Sequence, residues 1–186
     1  MKKIIGFAIA GVLFYGCSNS TPKAESTEKV EQKMIEITND MENAAGVIPS
    51  WTNEKTVMAI KEPAAHSGEF VSVTNDTIEY SYGYNELIKN INTALPKKIN
   101  VTGWVYTTVA KPNLAIILDI SEKEKPYDWK AFPLTEALTE KEKWVQFSSD
   151  FYMDKPLNPE QAIKIYAWNQ AKKPIYIDDL KISIEY

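Results

Sequence analysis

The sequence PIYIDDLKISIEY, residues 174–186, predicts a β-strand that carries two adjacent carboxylates. Side chains alternate between the two faces of a strand. With regular alternation, the apolar face that holds Leu180 and Ile182 also holds Asp178, whereas Asp179 points to the opposite side. A carboxylate on a face directed to the core costs free energy unless a hydrogen bond or a cation satisfies it. The strand therefore predicts a buried polar site at Asp178.

The same alternation, with a period of two, runs through most of the preceding sequence. Polar turns rich in Pro, Gly and Lys separate the alternating segments, and none of them sustains a helical period for more than about two turns. We therefore predict an all-β domain, a β-sandwich of the jelly-roll type. The clearest predicted strands are TIEYSYGY (77–84), KINVTGWVYTTV (98–109), NLAIILDI (113–120), KWVQFSSDFYM (143–153) and AIKIYAWNQ (162–170).

The composition excludes several classes of function. All 21 basic residues are lysines, so the arginine forks that read phosphate or guanine are missing and nucleic acid is not expected as a partner. His66 is the only histidine, and neither a Gly-rich phosphate loop nor a G-x-S-x-G motif occurs. A catalytic triad or a histidine-based zinc site is therefore not expected, and we predict that the protein is not an enzyme. A carboxylate pair for glycoside hydrolysis stays open, since the chain has 25 acidic residues.

The N-terminal segment has the features of an export signal. Lys2 and Lys3 precede the apolar stretch IIGFAIAGVLFY, which is too short to span a bilayer. The following LFYGC resembles the lipobox of bacterial lipoproteins, which implies lipidation of Cys17; the alternative is a plain signal peptide that contains a cysteine. We therefore expect a signal peptide over residues 1–16 and a tether, beginning with the lipidated cysteine, over residues 17–37.

The predicted location follows from this organisation. The jelly-roll binding domain is expected over residues 38–186, held by its lipid to a membrane of the bacterial cell envelope. The sequence leaves open whether the domain faces the periplasm or the cell surface. An internal disulfide is excluded, because the chain has a single cysteine.

Five short segments, in this order, resemble the galactose-binding-like jelly rolls, which include many carbohydrate-binding modules. They are NDMENAAGVIPSW, AAHSGEFVSV, INVTGWVY, EKWVQFSSDFY and IYIDDLKI, and they extend over most of residues 39–186. The resemblance implies a glycan or polysaccharide as ligand. Members of this fold also serve in protein contacts, so the fold alone does not fix the function.

The resemblance also implies a structural calcium ion. In the family, such an ion often joins an acidic residue of the first strand to an aspartate of the last strand. The matching positions are Glu42 and Asp178, and Asp40 and Asp179 are further candidates. Carboxylate oxygens are suitable ligands for calcium. The alternative is that Asp178 is satisfied by backbone amides or by a lysine.

Aromatic residues on two strands are candidates for ligand contacts. Trp104 and Tyr106 lie opposite the valine face of one strand, and Tyr166 and Trp168 lie opposite the isoleucine face of another. If the two strands share a sheet, the four rings form one platform on which a sugar can stack, and Asn169 can supply a polar edge. The alternative is that the aromatic face is the core face.

The predicted function is therefore that of a lipid-anchored, exported, non-catalytic module that binds a carbohydrate. The alternative is a structural or protein-interaction lipoprotein that serves as an accessory subunit of an envelope complex. The two differ in the partner, which is a saccharide in the first case and a protein in the second.

Overall fold

The computed structural model describes residues 34–43 and 48–186. Cys17, the predicted signal peptide and most of the predicted tether lie outside these residues. In the described part of the chain, no helix has the length and apolar character needed to cross a membrane. The strands are β1 (Met34–Asn39), β2 (Trp51–Thr52), β3 (Val57–Ala59), β4 (Phe70–Thr74), β5 (Gly83–Leu87), β6 (Lys98–Thr107), β7 (Leu114–Glu122), β8 (Lys125–Pro133), β9 (Trp144–Tyr152), β10 (Ala162–Asn169) and β11 (Ile175–Glu185); a 3₁₀ turn spans Glu54–Thr56, and a single-turn helix, α1, spans Ile88–Ile91.

The strands form two antiparallel sheets packed face to face. One sheet is six-stranded, in the order β3-β4-β11-β6-β9, with β1 paired to the C-terminal part of β11. The other is five-stranded, in the order β2-β5-β10-β7-β8. The crossing of the chain between the sheets gives a jelly-roll β-sandwich, which confirms the predicted fold class.

The core lies between the two sheets and consists mainly of aliphatic side chains. Along β6 and β10, buried residues alternate with partly exposed ones, as expected for strands with one core face. The buried set of these strands is Ile99, Val101, Val105, Ile163, Ile165 and Ala167. Full burial of an aliphatic side chain of this kind contributes about 1.5–3 kcal/mol of transfer free energy. The aromatic residues of both strands therefore lie on outer surfaces, and the alternative that they face the core is wrong.

A β-bulge in β11 overturns the predicted facing of Asp178. The pairing of β11 with β6 shifts between Asp178 and Lys181, and Asp179 has a positive φ of 49°. The bulge reverses the alternation, so Ile177 before it and Leu180 after it both point into the core. Asp178 pairs with Trp104 on the outer side of the sheet. The prediction failed because it assumed regular alternation through the two carboxylates.

The first strand shifts the predicted start of the domain. β1 begins at Met34 and pairs with β11 from Met34↔Glu185 to Asn39↔Leu180. Residues 34–37 therefore belong to the sandwich, although the sequence assigns them to the tether. Ile35 and Ile37 pack against the core, and this contact gives them a place in the sheet.

The tyrosine-rich segment TIEYSYGY is not one regular strand. Only its last two residues belong to β5, and Tyr80 makes an isolated bridge to Trp168. Tyr82 is buried and stacks on Trp51, with ring centroids 5.4 Å apart. Tyr80 is 47% exposed. The irregular backbone thus separates Tyr80, which lies on the outer surface of the five-stranded sheet, from Tyr82 in the core.

Candidate functional site

The four aromatic residues predicted to form one platform lie on opposite sides of the sandwich. Trp104 and Tyr106 are on β6 of the six-stranded sheet, whereas Tyr166 and Trp168 are on β10 of the five-stranded sheet. The outer surfaces of two packed sheets point in opposite directions. The single platform is therefore wrong, and each surface has its own aromatic cluster.

The outer surface of the five-stranded sheet has a row of four aromatic rings, which we call the aromatic row. It consists of Tyr80, Tyr166, Trp168 and Trp129. The ring of Tyr80 meets that of Tyr166 edge-on at 5.6 Å and stacks with Trp168 at 6.3 Å. Trp129 meets Trp168 edge-on at 6.1 Å. Tyr80 and Trp129, at the two ends of the row, are each 47% exposed.

Strand pairing places these rings next to one another. Tyr166 and Trp168 are two residues apart on β10 and therefore share a face. Their cross-strand partners on β7 are Ile117 and Ala115, which also face outward. Trp129 comes from β8 on the far side of β7. In the register Trp129 is level with Lys164, four residues along β10 from Trp168, so the row crosses the sheet diagonally.

Two local features fix the position of Tyr80 and Tyr166. The side chain of Asn53 donates hydrogen bonds to the carbonyl oxygens of Tyr80 (2.7 Å) and Ser81 (3.2 Å), so the irregular segment is held against the sheet. At Gly83, a Cβ atom would come within 2.6 Å of the Ile165 carbonyl oxygen and 2.9 Å of the Tyr166 Cβ. Glycine is required there because β5 approaches β10 so closely.

A cavity of about 400 Å³ adjoins the aromatic row at the end nearest β2 and β5. Its walls combine aromatic rings with polar side chains, and this mixture is typical of small-molecule sites. The residues that line it are Thr52, Asn53, Tyr80, Ser81, Gly83, Tyr84, Asn85, Lys164 and Tyr166. We refer to the cavity and the aromatic row together as the groove.

One carboxylate lies on the same surface as the groove. Asp119 of β7 pairs with Lys164 of β10 on one side and with Trp129 of β8 on the other. Its Oδ1 atom is buried and, within residues 34–43 and 48–186, has no hydrogen-bond donor. Burial raises the pKa of Asp119, and the positive charge of Lys164 opposes the shift. The sequence does not single out Asp119, since one polar residue within NLAIILDI gives no sign of a site.

Asn169 does not belong to the groove. It is fully buried on the core side of β10 and donates hydrogen bonds to Thr74 Oγ1 (3.1 Å) and to the Lys173 carbonyl oxygen (2.8 Å). The prediction that it supplies a polar edge to a ligand is wrong, because consecutive residues of a strand face opposite sides. Its role is to fix the turn that leads from β10 to β11.

The aromatic cluster of the six-stranded sheet is covered in part by the loop of residues 60–69, which we call the covering loop. His66 of this loop stacks on Trp104, with centroids 3.9 Å apart and an angle of 17° between the planes. Trp144 donates a hydrogen bond from Nε1 to the Ala64 carbonyl oxygen (3.0 Å). The indole of Trp104 is therefore already engaged by a ring of the protein itself.

Asp178 holds the covering loop in place. Its Oδ2 accepts hydrogen bonds from the backbone amides of His66 (3.0 Å) and Ser67 (3.1 Å), and its Oδ1 accepts one from Asp179 (2.8 Å). The side chain is fully buried, and desolvation raises its pKa to about 6 although these amides act in the opposite direction. This is the hydrogen-bonded arrangement that the sequence left open as an alternative to calcium.

The other predicted calcium ligands also accept hydrogen bonds. Asp179 accepts from His66 Nδ1 (2.6 Å) and Ser67 Oγ (2.7 Å). Glu42 accepts from the amides of Glu69 (3.0 Å) and Phe70 (2.8 Å), and Asp40 accepts from the amide of Glu42 (3.2 Å).

These contacts decide how well the four acidic residues fit a metal. Among the described residues, no group of three or more acidic, histidine or cysteine side chains is arranged so that it could hold a metal ion. Calcium takes six to eight oxygen ligands around one centre. The four carboxylates, as arranged, do not fit such an ion, and the calcium itself stays a prediction.

Two members of the aromatic row were not predicted. Tyr80 lies in the predicted strand TIEYSYGY together with Tyr82 and Tyr84, and no strand is predicted around Trp129. β8 was missed because SEKEKP, at its start, has the composition of a turn. The alternation of Tyr127, Trp129 and Ala131 was the signal that could have identified the strand.

No protein-family model matches the chain, and no curated protein matches its sequence. Solved structures do share its fold. The CBM22-1 xylan-binding domain of Xyn10C from Paenibacillus barcinonensis superposes with a TM-score of 0.53 at 14% identity, over 82% of this chain and 95% of that domain. The tandem CBM22-1-CBM22-2 structure from the same protein gives the same TM-score and identity, over 82% of this chain and 46% of that one. The chain thus has the β-sandwich fold of carbohydrate-binding modules, as its sequence predicted.

Proposed function

We propose that the protein binds a carbohydrate in the groove of its five-stranded sheet. The observation that carries the proposal is the aromatic row, whose partly exposed rings lie beside a polar cavity of about 400 Å³. Sugars present faces of C–H groups that pack on aromatic rings, and their hydroxyl groups bind amides and charged side chains. Solvent-exposed aromatic clusters of this kind usually mark binding surfaces.

The groove supplies both kinds of contact. Tyr80, Trp168 and Trp129 offer ring surface, and the residues that line the cavity include the polar Asn85 and Lys164. The rings run diagonally from the segment before β5 across β10 and β7 to β8, so an extended sugar chain would cross several strands. This geometry suits a polysaccharide better than a single sugar.

The fold gives the first ligand to test. The xylan-binding domain with the same sandwich makes xylan the natural starting probe for this chain. We further propose that the protein binds without cleaving the polysaccharide. Its only histidine lies on the covering loop of the other sheet and is engaged with Trp104 and Asp179.

We also propose that the binding domain is exported and attached to a membrane of the cell envelope through a lipid on Cys17. The proposal rests on the sequence: a lysine-led apolar segment ends at the only cysteine, and a polar stretch follows. An anchored binding module would hold a polysaccharide close to the cell.

The experiment is affinity electrophoresis of the full chain, purified in detergent, through gels that contain one polysaccharide each. The panel comprises neutral wheat arabinoxylan, β-1,4-galactan and hydroxyethylcellulose, together with anionic carboxymethylcellulose and polygalacturonate. We expect slowed migration in at least one neutral gel and no release of reducing sugar. Unchanged migration in every gel would contradict the proposal.

A further inference from the structure

The buried carboxylate oxygen of Asp119 is an anomaly that the fold does not explain. Asp119 lies in the middle of β7, and Oδ1 is enclosed without a donor among the residues the structure describes. Buried polar atoms are hydrogen-bonded in the great majority of cases, and an exception calls for an explanation. An unsatisfied carboxylate in a central strand lowers the stability of the folded state.

The neighbours of Asp119 do not satisfy it. Lys164, its cross-strand partner on β10, makes its ion pair with Glu124 instead, at 3.8 Å. Trp129, its partner on β8, contributes an indole that packs against Trp168. Trp129 is 47% exposed, and its side chain contacts both Trp168 and Tyr166 without donating to Asp119. Asp119 is itself partly exposed and borders the surface on which the aromatic row lies.

We propose that Asp119 determines which glycan the groove accepts, by accepting a hydrogen bond from a hydroxyl group of the bound sugar. The inference rests on the proposed function, because it assigns a role within the same groove. An ionised carboxylate only accepts hydrogen bonds, and a sugar hydroxyl is a donor of suitable size. The ligand class that follows is a neutral polysaccharide.

The negative charge of the same carboxylate should repel acidic glycans and weaken their binding. A uronic acid or a sulfate group that approached Asp119 would place two like charges close together in a partly desolvated site. Such a contact is unfavourable, and repulsion of this kind is a common source of specificity. The groove is therefore expected to prefer hydroxyethylcellulose over carboxymethylcellulose, which has the same backbone with anionic substituents.

The test uses Asp119→Ala and Asp119→Asn in the full chain, with two readouts. Loss of the acceptor should weaken binding to wheat arabinoxylan or hydroxyethylcellulose about tenfold or more for the alanine variant, since hydrogen bonds to charged groups are strong. The asparagine variant keeps an oxygen acceptor without the charge, so it should bind better than the alanine variant. It should also reduce the preference for hydroxyethylcellulose over carboxymethylcellulose. The melting temperature of both variants should be equal to that of the wild type or higher, because both remove a partly buried negative charge whose Oδ1 has no donor.

Asp150→Ala is the matched control. Asp150 lies on the outer surface of the six-stranded sheet and is satisfied by Lys98 and Asn100. Its removal should leave polysaccharide binding unchanged and should not raise the melting temperature. The inference is overturned, with the proposed function intact, if the wild type binds a neutral polysaccharide and Asp119→Ala binds it equally well. Failure of the wild type to bind any polysaccharide would overturn both.

Discussion

His66 stacks on Trp104 with the two ring centroids 3.9 Å apart, and this contact separates the roles of the two aromatic surfaces. On the six-stranded sheet, a ring from the covering loop already lies on the indole. On the five-stranded sheet, Tyr80 and Trp129 keep nearly half of their surface exposed. The first surface is therefore built to hold a loop, and the second is open to a ligand.

Trp104→Ala should destabilise the protein, because the covering loop loses its stacking contact with the sheet. The substitution removes the ring under His66, and we expect the free energy of unfolding to fall by about 1–3 kcal/mol, as for other partly buried aromatic contacts. Urea denaturation followed by circular dichroism measures this change. An unchanged free energy of unfolding would show that the stacking contributes nothing to stability.

Chelation tests the calcium prediction against the hydrogen-bonded arrangement at Asp178. If backbone amides satisfy this carboxylate, EDTA should leave the melting temperature unchanged, because no bound ion is removed. Asp178→Ala should then lower the melting temperature, since three amide donors lose their acceptor. A fall in the melting temperature with EDTA, restored by added calcium, would instead support a calcium ion at this site.

Because the pKa of Asp119 is raised in the folded protein, the direction in which the stability changes with pH can be predicted. The folded protein holds a proton on this carboxyl more tightly than the unfolded chain does, because burial outweighs the opposing charge of Lys164. Its contribution to the free energy of unfolding therefore falls as the pH rises from the ordinary value of 3.8 through the higher folded pKa, and stays low above it.

Asp119→Asn removes this titration. The difference in unfolding free energy between wild type and variant should therefore grow in favour of the variant as the pH rises from 3 to 8. Asp178, whose pKa is also raised, is present in both proteins and cancels in the difference. Urea titrations at several pH values measure the difference. A constant difference over this range would show that Asp119 titrates alike in the folded and unfolded states.

Cys17→Ser tests the anchor. Without a thiol the lipid cannot be attached, and the polar residues that follow have little affinity for a bilayer. The variant should leave the membrane fraction, whereas the wild type should stay there after a high-salt wash. Retention of the variant in the washed membranes would contradict lipid anchoring.

The sequence predicts the sandwich well because alternation of residue types directly reports which strand faces are buried. Val101 and Val105 on β6, and Ile163 and Ile165 on β10, are buried as their spacing indicates. Which strands pair with each other cannot be predicted in the same way, since pairing depends on contacts between segments that are distant in the sequence. The placement of β6 and β10 in separate sheets could not be read from Trp104 and Trp168 themselves.

Local irregularities account for the other differences. The bulge at Asp179 reverses the facing of β11, and the irregular backbone before Gly83 separates Tyr80 from Tyr82. Neither has a distinctive residue pattern: the positive φ falls on an aspartate, and the tyrosines alternate as in a strand. The predicted pair Tyr166 and Trp168 lies in the groove because it depended only on the period of one strand.

The central claim is that the groove of the five-stranded sheet binds a polysaccharide, and a matched pair of tryptophan variants tests it most directly. Isothermal titration of wheat arabinoxylan into the full chain would compare Trp168→Ala with Trp104→Ala, which remove the same side chain from opposite sides of the sandwich. A stacked ring contributes about 1–3 kcal/mol by analogy with bases on aromatic side chains, so Trp168→Ala should weaken binding about tenfold or more. Trp104→Ala should bind as the wild type does. Equal affinities of wild type and Trp168→Ala, or a loss confined to Trp104→Ala, would contradict the claim.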